Sequence, residues 1–325
     1  MPGFTTHYIF GMKAYNDMPF TPLKHTIAKY RWLYQLGLQG PDMFFYNIPI
    51  LRHRDYRNVG SYMHEHKVNA FFECCLRRIG TIRSRQQQEE AISYLAGFIN
   101  HYIADSICHP YVYGRIGYPV DAPTSMYHGM QAHVENELDA ILLWKYKKKK
   151  PSEFNQTATI CLNGQEIQFI SHFLASCINE TYYPITYRNN FQVTPAMVHR
   201  SIWALRFGCR TLSDKNGKKK FGIAQVESIF VNHPVASAKM VTDSVTDYRS
   251  SCNLNHEAWS NPWDPTRVST ASFVDLFHET LDKCSRVYAL LNSAVTDNMP
   301  LDKQDLSPLL TELGNESYHS GLPVD

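Results

Sequence analysis

Long apolar runs and a strong charge imbalance are both absent from this sequence. Its apolar stretches, such as residues 140–143, are far shorter than the roughly 18 residues that a helix needs to cross a bilayer. Residues 1–7 contain neither the basic segment nor the apolar segment of a secretory signal. A net charge of +2 gives no overall attraction to nucleic acid or anionic lipid, so any such attraction must be local. The lysine runs at 147–150 and 218–220 are the local candidates, although each also fits a solvated helix end or turn.

A disulfide framework and Cys-x-x-Cys pairs are absent as well. The eight cysteines stand at positions 74, 75, 108, 161, 177, 209, 252 and 284. In a chain of this length, such spacing indicates reduced and mostly buried thiols. Together with the missing secretory signal, it predicts a cytoplasmic protein, and we assign no cysteine to a metal.

Helix signals are frequent, and strand signals are weak. Thr21 and Thr194 each precede a proline, as an N-cap residue precedes the first residue of a helix, and Ser272 or Thr270 fits the cap of another. Between residues 89 and 108, apolar residues recur at intervals of three and four, which is typical of an amphipathic helix. We therefore predict an all-α fold, with one small hairpin around the turn at residues 163–164.

The sequence His101-Tyr-Ile-Ala-Asp105-Ser-Ile-Cys-His109 is the strongest functional signal. Residues four apart lie one turn apart on the same helix face, so His101, Asp105 and His109 can approach one metal ion together. Solvated helix faces usually carry Lys, Glu and Arg, although a chain with 15 histidines can also have a histidine-rich face by chance. We expect Pro110 to end this helix.

A second group of candidate ligands lies shortly downstream. His133 and Glu137 are again four residues apart, and an imidazole with a carboxylate on one helix face is a common half of a zinc site. Glu135 and Asp139 form a competing pair on another face, so both pairs remain open. Each of these acids could equally well lie on a solvent-exposed face of a helix without binding metal.

Three further candidates lie nearer the N-terminus. Asp42 follows Gly40 and Pro41 in a turn, His64 lies in a Met-His-Glu-His stretch, and His7 lies close to the chain start. Each of them alone fits a turn, surface or core residue.

The order of these candidates resembles the ligand order of zinc-dependent phospholipase C and of its relatives, the P1/S1 nucleases. Four stretches look like the cytosolic bacterial branch: MPGFTTHY at 1–8, LGLQGPD at 36–42, YLAGFINHY at 94–102 and WSNPW at 259–263. The resemblance implies a multi-helix bundle that binds up to three Zn²⁺ ions in a cleft. Pro151-Ser152-Glu153 after the lysine run indicates a boundary between a zinc-binding catalytic region, 1–150, and a helical C-terminal region, 151–325, and the absence of a low-complexity linker favours packing of the two. We expect a loose tail from about residue 315.

The resemblance also implies which residues bind each zinc ion. Those implied for the first ion are Asp42, His64, His101 and Asp105. Asp105 would bridge to a second ion, which is completed by His7 and by the N-terminal amine and carbonyl of Pro2. His109 would bind a third ion with His133 and Glu137, but an alignment on the apolar residues gives Gln131 and Glu135 instead.

A zinc-dependent phosphodiester hydrolase of phospholipase C type is the function that the resemblance implies. Asp42 would orient or deprotonate the attacking water, and Tyr8, Glu65 and Tyr102 are the nearest partners in sequence for the ligating imidazoles. The substrate would be a phospholipid or a related phosphodiester, and peripheral contact with a membrane would follow. Two alternatives remain, a P1-like nuclease acting on single strands and a non-catalytic metal-binding scaffold. The nearly balanced charge argues mildly against a nucleic acid partner without excluding one.

Overall fold

The chain folds into an all-α structure in a computed structural model, as the sequence predicts. The model describes residues 3–46, 59–121, 125–188, 192–230, 237–245 and 247–325. The helices of these residues are α1 Phe4–Asp17, α2 Pro22–Lys29, α3 Arg31–Gly37, α4 Val59–Glu65, α5 Val68–Thr81, α6 Arg85–Arg115, α7 Ser125–Lys147, α8 Gly164–Arg188, α9 Pro195–Thr211, α10 Lys218–Phe230, α11 Tyr248–Ser251, α12 Phe273–Thr296 and α13 Ser307–Leu313. None of them is long and apolar enough to cross a membrane.

The three predicted helix caps are present. The side-chain oxygens of Thr21, Thr194 and Ser272 each accept a hydrogen bond from the backbone N–H three residues later. The segment after Thr21 is broken at Tyr30, whose backbone leaves the helical region, and it forms the two helices α2 and α3. The cap patterns therefore located helix starts correctly, since capping is decided within one turn.

The predicted hairpin at residues 157–170 is wrong. Asn163 and Glu166 bond to each other's backbone N–H groups, at 2.9 and 2.8 Å, and this reciprocal pair starts helix α8. The two-stranded sheet of the described residues lies elsewhere, where β1 (Trp259–Asn261) pairs antiparallel with β2 (Asp264–Ser269). A turn dipeptide can thus mark a helix start as well as a hairpin.

The predicted end of helix α6 at Pro110 is also wrong, because α6 continues for 31 residues to Arg115. Proline lacks an N–H, so the carbonyl of Ser106, one turn earlier, has no helical partner at that point. Gly321, at φ +59°, lies against this carbonyl, and an added Cβ there would come within 2.5 Å of the oxygen. The chain end therefore packs on the helix where proline interrupts its hydrogen bonds.

The expectation of a loose tail from residue 315 is likewise wrong. Tyr318 is buried, and its N–H donates to the carbonyl of His64 at 2.9 Å. The carbonyl of Asp325 accepts a bond of 3.0 Å from the N–H of Lys67. Several backbone bonds thus hold this segment against the helices around the candidate site.

Helices α3 and α6 approach each other at a pair of glycines. A Cβ added at Gly37 would lie 2.1 Å from the carbonyl oxygen of Tyr94, and one at Gly97 would lie 2.1 Å from that of Tyr34. This close approach places the chain that leaves α3 directly over the middle of α6. Contacts such as the bond from the Tyr288 hydroxyl to the Ala96 carbonyl join α12 to the same helix.

The predicted division of the chain at residue 150 stays a prediction.

Candidate metal centre

Helix α6 presents His101, Asp105 and His109 on one buried face. All three side chains are inaccessible to solvent. The Nε2 atom of His101 lies 3.1 Å from Asp105 Oδ2, and that of His109 lies 3.5 Å from Asp105 Oδ1. The four-residue spacing therefore places both imidazoles beside the same carboxylate.

Asp42 reaches this face from the 3₁₀ helix Gly40–Tyr46, which follows α3. Its Oδ1 atom lies 3.8 Å from His101 Nε2. Gly40 precedes it at φ +47°, and an added Cβ would lie 2.2 Å from the His101 ring. Only glycine combines this backbone conformation with so close an approach, so the Gly-Pro-Asp turn is built against the imidazole.

His64 and His7 arrive from two further helices, α4 and α1. His64 Nε2 lies 3.3 Å from Asp42 Oδ1 and 3.7 Å from Asp105 Oδ2. His7 Nε2 lies 3.2 Å from Asp105 Oδ1, on the side of His109. The two oxygens of Asp105 consequently face two different sets of imidazoles, which is the arrangement of a bridging carboxylate.

Four of these side chains form a compact group that could hold a metal ion. Each of Asp42, His64, His101 and Asp105 offers a ligand atom, and these atoms lie within 4.8 Å of one another. The Nε2 atoms of His7, His64, His101 and His109, with Asp42 Oδ1 and both oxygens of Asp105, are buried and make no hydrogen bond within the described residues. Buried polar atoms without partners are costly, and cations bound among these atoms would supply the missing partners. Imidazole and carboxylate are ligand types that suit zinc.

Backbone carbonyls hold three of the imidazoles by their other nitrogen. The Nδ1 atoms of His64, His101 and His109 lie 2.6, 3.1 and 2.5 Å from the carbonyls of Gly60, Leu38 and Tyr318. A carbonyl can only accept, so Nδ1 carries a proton and Nε2 is the nitrogen that faces the cluster, where a metal ion would bind it. The expected partners Tyr8, Glu65 and Tyr102 do not supply these three bonds.

The electrostatics of the cluster keep the carboxylate charged. Burial alone would raise the pKa of Asp105, but His109, His101 and His7 hold it well below its usual value. Burial lowers the pKa values of His7 and His109. Burial also opposes protonation of His64, yet the carboxylates of Asp105 and Asp42 outweigh it and raise its pKa to about 9.

Asp139 from α7 fixes the start of helix α1. Its carboxylate accepts hydrogen bonds from the N–H groups of Thr5, at 3.1 Å, and Thr6, at 2.7 Å. The N-cap residue Gly3 has no side chain to do this, and an added Cβ would lie 2.3 Å from the carboxylate. Asp139 therefore acts as an N-cap from another helix and positions His7 one turn further on.

Helix α7 carries His133 and Glu137, the two residues that are predicted to bind a third ion together with His109. His133 is 52% exposed and lies 3.7 Å from Glu137, whose carboxylate accepts a hydrogen bond from the Ser251 hydroxyl. The compact group above includes neither residue. Glu135 instead faces inward beside Gln131, which donates to it at 2.8 Å, and burial raises the pKa of Glu135 to about 7. Binding of metal by His133 and Glu137 stays a prediction, and Pro2 lies outside the described residues.

Sequence reasoning missed His319, which lies in the segment expected to be a loose tail. Its ring stacks on His64, with centroids 4.8 Å apart, and lies 5.6 Å from the ring of His109. The Tyr113 hydroxyl lies 3.4 Å from its Nδ1. An aromatic pair, Tyr318-His319, in an otherwise polar stretch was the available signal.

A cavity of about 590 Å³ opens beside the cluster. Its lining includes the carboxylates of Asp42 and Glu135 and the aromatic rings of Phe4, Trp203 and Phe207. A site of this kind can place an ester with an apolar portion next to a metal cluster.

The chain belongs to the zinc-dependent phospholipase C family. The model of this family, described as zinc dependent phospholipase C, matches residues 6–187, which is more than half of the chain. No curated protein and no solved structure matches the chain. Family membership and the buried Asp-His-His-Asp group together indicate a zinc-binding hydrolase of the general phospholipase C type.

Proposed function

We propose that the protein hydrolyses the phosphodiester of a phospholipid on the glycerol side of the phosphate, with zinc as its cofactor. The observation that carries this proposal is the position of the buried cluster at the wall of a cavity with aromatic lining. The phosphate would lie at the cluster, and the diacylglycerol portion would lie along Phe4 and Trp203.

Two groups of side chains would hold the metal. One consists of Asp42, His64, His101 and the Oδ2 atom of Asp105, and the other of the Oδ1 atom of Asp105 with His7 and His109. Zinc, when bound, supplies positive charge that stabilises the phosphate and activates water. The Nδ1 bonds from His64, His101 and His109 keep the three rings oriented with Nε2 toward the cluster.

Asp42 is the best-placed base among these residues. It is shared between the cluster and the cavity, so its carboxylate can accept a proton from a water that lies beside the phosphate. A substrate that lies along Phe4 and Trp203 would displace water from these rings and from its own ester, which strengthens the electrostatic contacts around it.

The decisive experiment is an assay of the zinc-loaded protein on four substrates: phosphatidylcholine, phosphatidylinositol, an aryl phosphodiester and single-stranded DNA. We expect release of diacylglycerol from a phospholipid. The variant His101→Gln should lose both zinc and activity, while His25→Gln, an exposed histidine on α2, should keep both.

Other results would favour the two alternatives. Hydrolysis of the DNA alone would indicate a P1-like nuclease. A zinc content near zero or one per chain, without hydrolysis of any substrate, would indicate a non-catalytic scaffold. Either result contradicts the proposal.

A further inference from the structure

Helix α9, Pro195–Thr211, carries an exposed row of two aromatic and two basic side chains. Trp203 and Phe207 are 63% and 54% exposed, and their rings stack with centroids 5.4 Å apart and 9° between the planes. Arg200 lies one turn before the pair and Arg210 one turn after it, and both are exposed. Spacings of three, four and three place these four residues, which we call the docking face, on one side of the helix.

Packing of the helix itself does not require this face. Its opposite side is buried through Val198, Ser201, Ile202, Leu205, Gly208 and Cys209. Two large aromatic rings left in water are unfavourable unless they meet a partner surface, because their apolar area is not removed from solvent.

The charge of helix α9 indicates the chemistry of that partner. The helix contains three arginines and no Asp or Glu. Within the described residues, neither Arg200 nor Arg210 has an ion pair with a carboxylate. Unpaired arginines beside exposed tryptophan and phenylalanine suit the boundary between lipid headgroups and acyl chains, where apolar rings insert and guanidinium groups meet phosphates.

The docking face is continuous with the candidate site. Arg200, Trp203 and Phe207 line the same cavity as Asp42. The ring of Tyr46, from the 3₁₀ helix that carries Asp42, packs against Gly208, where an added Cβ would lie 2.5 Å from it. A molecule drawn from a surface in contact with α9 would therefore enter beside the metal cluster.

We propose that this face binds the surface of a bilayer that contains anionic phospholipid, with Trp203 and Phe207 inserted at the headgroup boundary and Arg200 and Arg210 on lipid phosphates. A bilayer fits better than a nucleic acid strand, because the two rings stack on each other, whereas strand-binding platforms offer separate ring faces to successive bases. Delivery of substrate rests on the proposed function, but bilayer binding does not.

Co-sedimentation with vesicles tests the inference by binding, which is measured separately from hydrolysis. The zinc-loaded chain should bind vesicles of phosphatidylcholine and phosphatidylserine more tightly than vesicles of phosphatidylcholine alone. The double variant Trp203→Ala/Phe207→Ala should bind both more weakly, by about tenfold for each ring lost. Arg200→Gln/Arg210→Gln should weaken binding only to the anionic vesicles, by about fivefold for each arginine.

Matched controls carry the same chemical changes elsewhere on the surface. Phe20 and Trp144 are 99% and 55% exposed, so Phe20→Ala/Trp144→Ala removes equivalent rings away from α9. Arg83→Gln/Arg249→Gln removes two exposed charges. Both controls should bind vesicles as the unaltered chain does, and thermal unfolding should show all variants folded.

Several outcomes would overturn the inference. These are no binding to either kind of vesicle, equal weakening by the α9 and control variants, or a loss of single-stranded DNA binding or of self-association in place of vesicle binding. If vesicle binding follows the expected pattern but no phospholipid is hydrolysed, the docking face stands and the proposed function falls.

Discussion

The carboxylate of Asp139 accepts a hydrogen bond of 2.7 Å from the backbone N–H of Thr6, although 133 positions separate them in the sequence. The first N–H groups of a helix have no partner within the helix, so a carboxylate at this end is both a hydrogen-bond acceptor and a favourable charge. Because His7 follows Thr6 directly, this bond ties the position of one candidate zinc ligand to helix α7.

Removal of this cap should loosen helix α1. We expect Asp139→Ala to lower the free energy of unfolding by about 1–2 kcal/mol, since two buried N–H groups lose their acceptor. It should also lower bound zinc, because His7 is no longer held. Denaturant unfolding and metal analysis would measure both effects, and Asp282→Ala, an exposed aspartate on α12, is the control.

The same residue gives a pH dependence with a defined sign. Burial raises the pKa of Asp139 from 3.8 to about 6 in the folded chain, so between these values the folded state binds more protons than the unfolded state. The contribution of Asp139 to stability therefore falls as pH rises through this window, by up to about 3 kcal/mol. In metal-free protein, the unaltered chain should therefore lose stability relative to Asp139→Asn as the pH rises from 4 to about 6. A difference that does not change with pH would contradict the raised pKa.

Gly40→Ala tests how closely the Asp42 turn is built against His101. Alanine at this position would have to adopt φ +47°. Its Cβ would lie 2.2 Å from the nearest atom of the His101 ring, so the ring would also have to move. We expect a loss of at least about 1–2 kcal/mol of stability from the backbone alone, together with reduced zinc binding. Gly222→Ala is a matched control, because Gly222 lies in helix α10 with no atom within 4 Å of an added Cβ. That change should stabilise by about 0.5–1 kcal/mol.

Local patterns predicted the part of the site that lies within single turns of helix. The spacing of His101, Asp105 and His109 and the caps at Thr21, Thr194 and Ser272 depend on neighbours three or four residues away, and the structure contains them as predicted. The resemblance supplied the order of the remaining candidates, which no single segment could reveal.

Long-range contacts were not predictable in this way. The carbonyls of Leu38 and Tyr318 orient His101 and His109 across 63 and 209 positions. Every residue has a carbonyl, so no residue type marks such a role in the sequence. The Asn163-Gly164 turn failed for a related reason, because the carboxylate of Glu166 decided between a helix start and a hairpin.

The competing acids of helix α7 can be separated by mutation. Glu135 is partly buried and lines the cavity with Asp42, whereas His133 is half exposed. We expect Glu135→Gln to reduce zinc content and phospholipid hydrolysis, and His133→Gln to change neither by more than about twofold, since exposed side chains away from a site rarely matter. Loss of one zinc ion in His133→Gln, with none lost in Glu135→Gln, would instead favour the pair His133 and Glu137.

Asp105→Asn should disable the protein more than any other single change in the cluster. Oδ1 of Asp105 faces His7 and His109, and Oδ2 faces His64 and His101, so its loss unsettles both groups at once. The amide preserves the shape but removes the negative charge that compensates bound zinc, and metal affinity depends on anionic ligands. We expect activity on an aryl phosphodiester to fall by more than about 100-fold, with less bound zinc at both groups. His109→Gln touches only the Oδ1 side and should retain zinc at Asp42, His64 and His101. If Asp105→Asn keeps its full zinc content and activity while Asp282→Asn behaves identically, Asp105 does not bridge two metal ions.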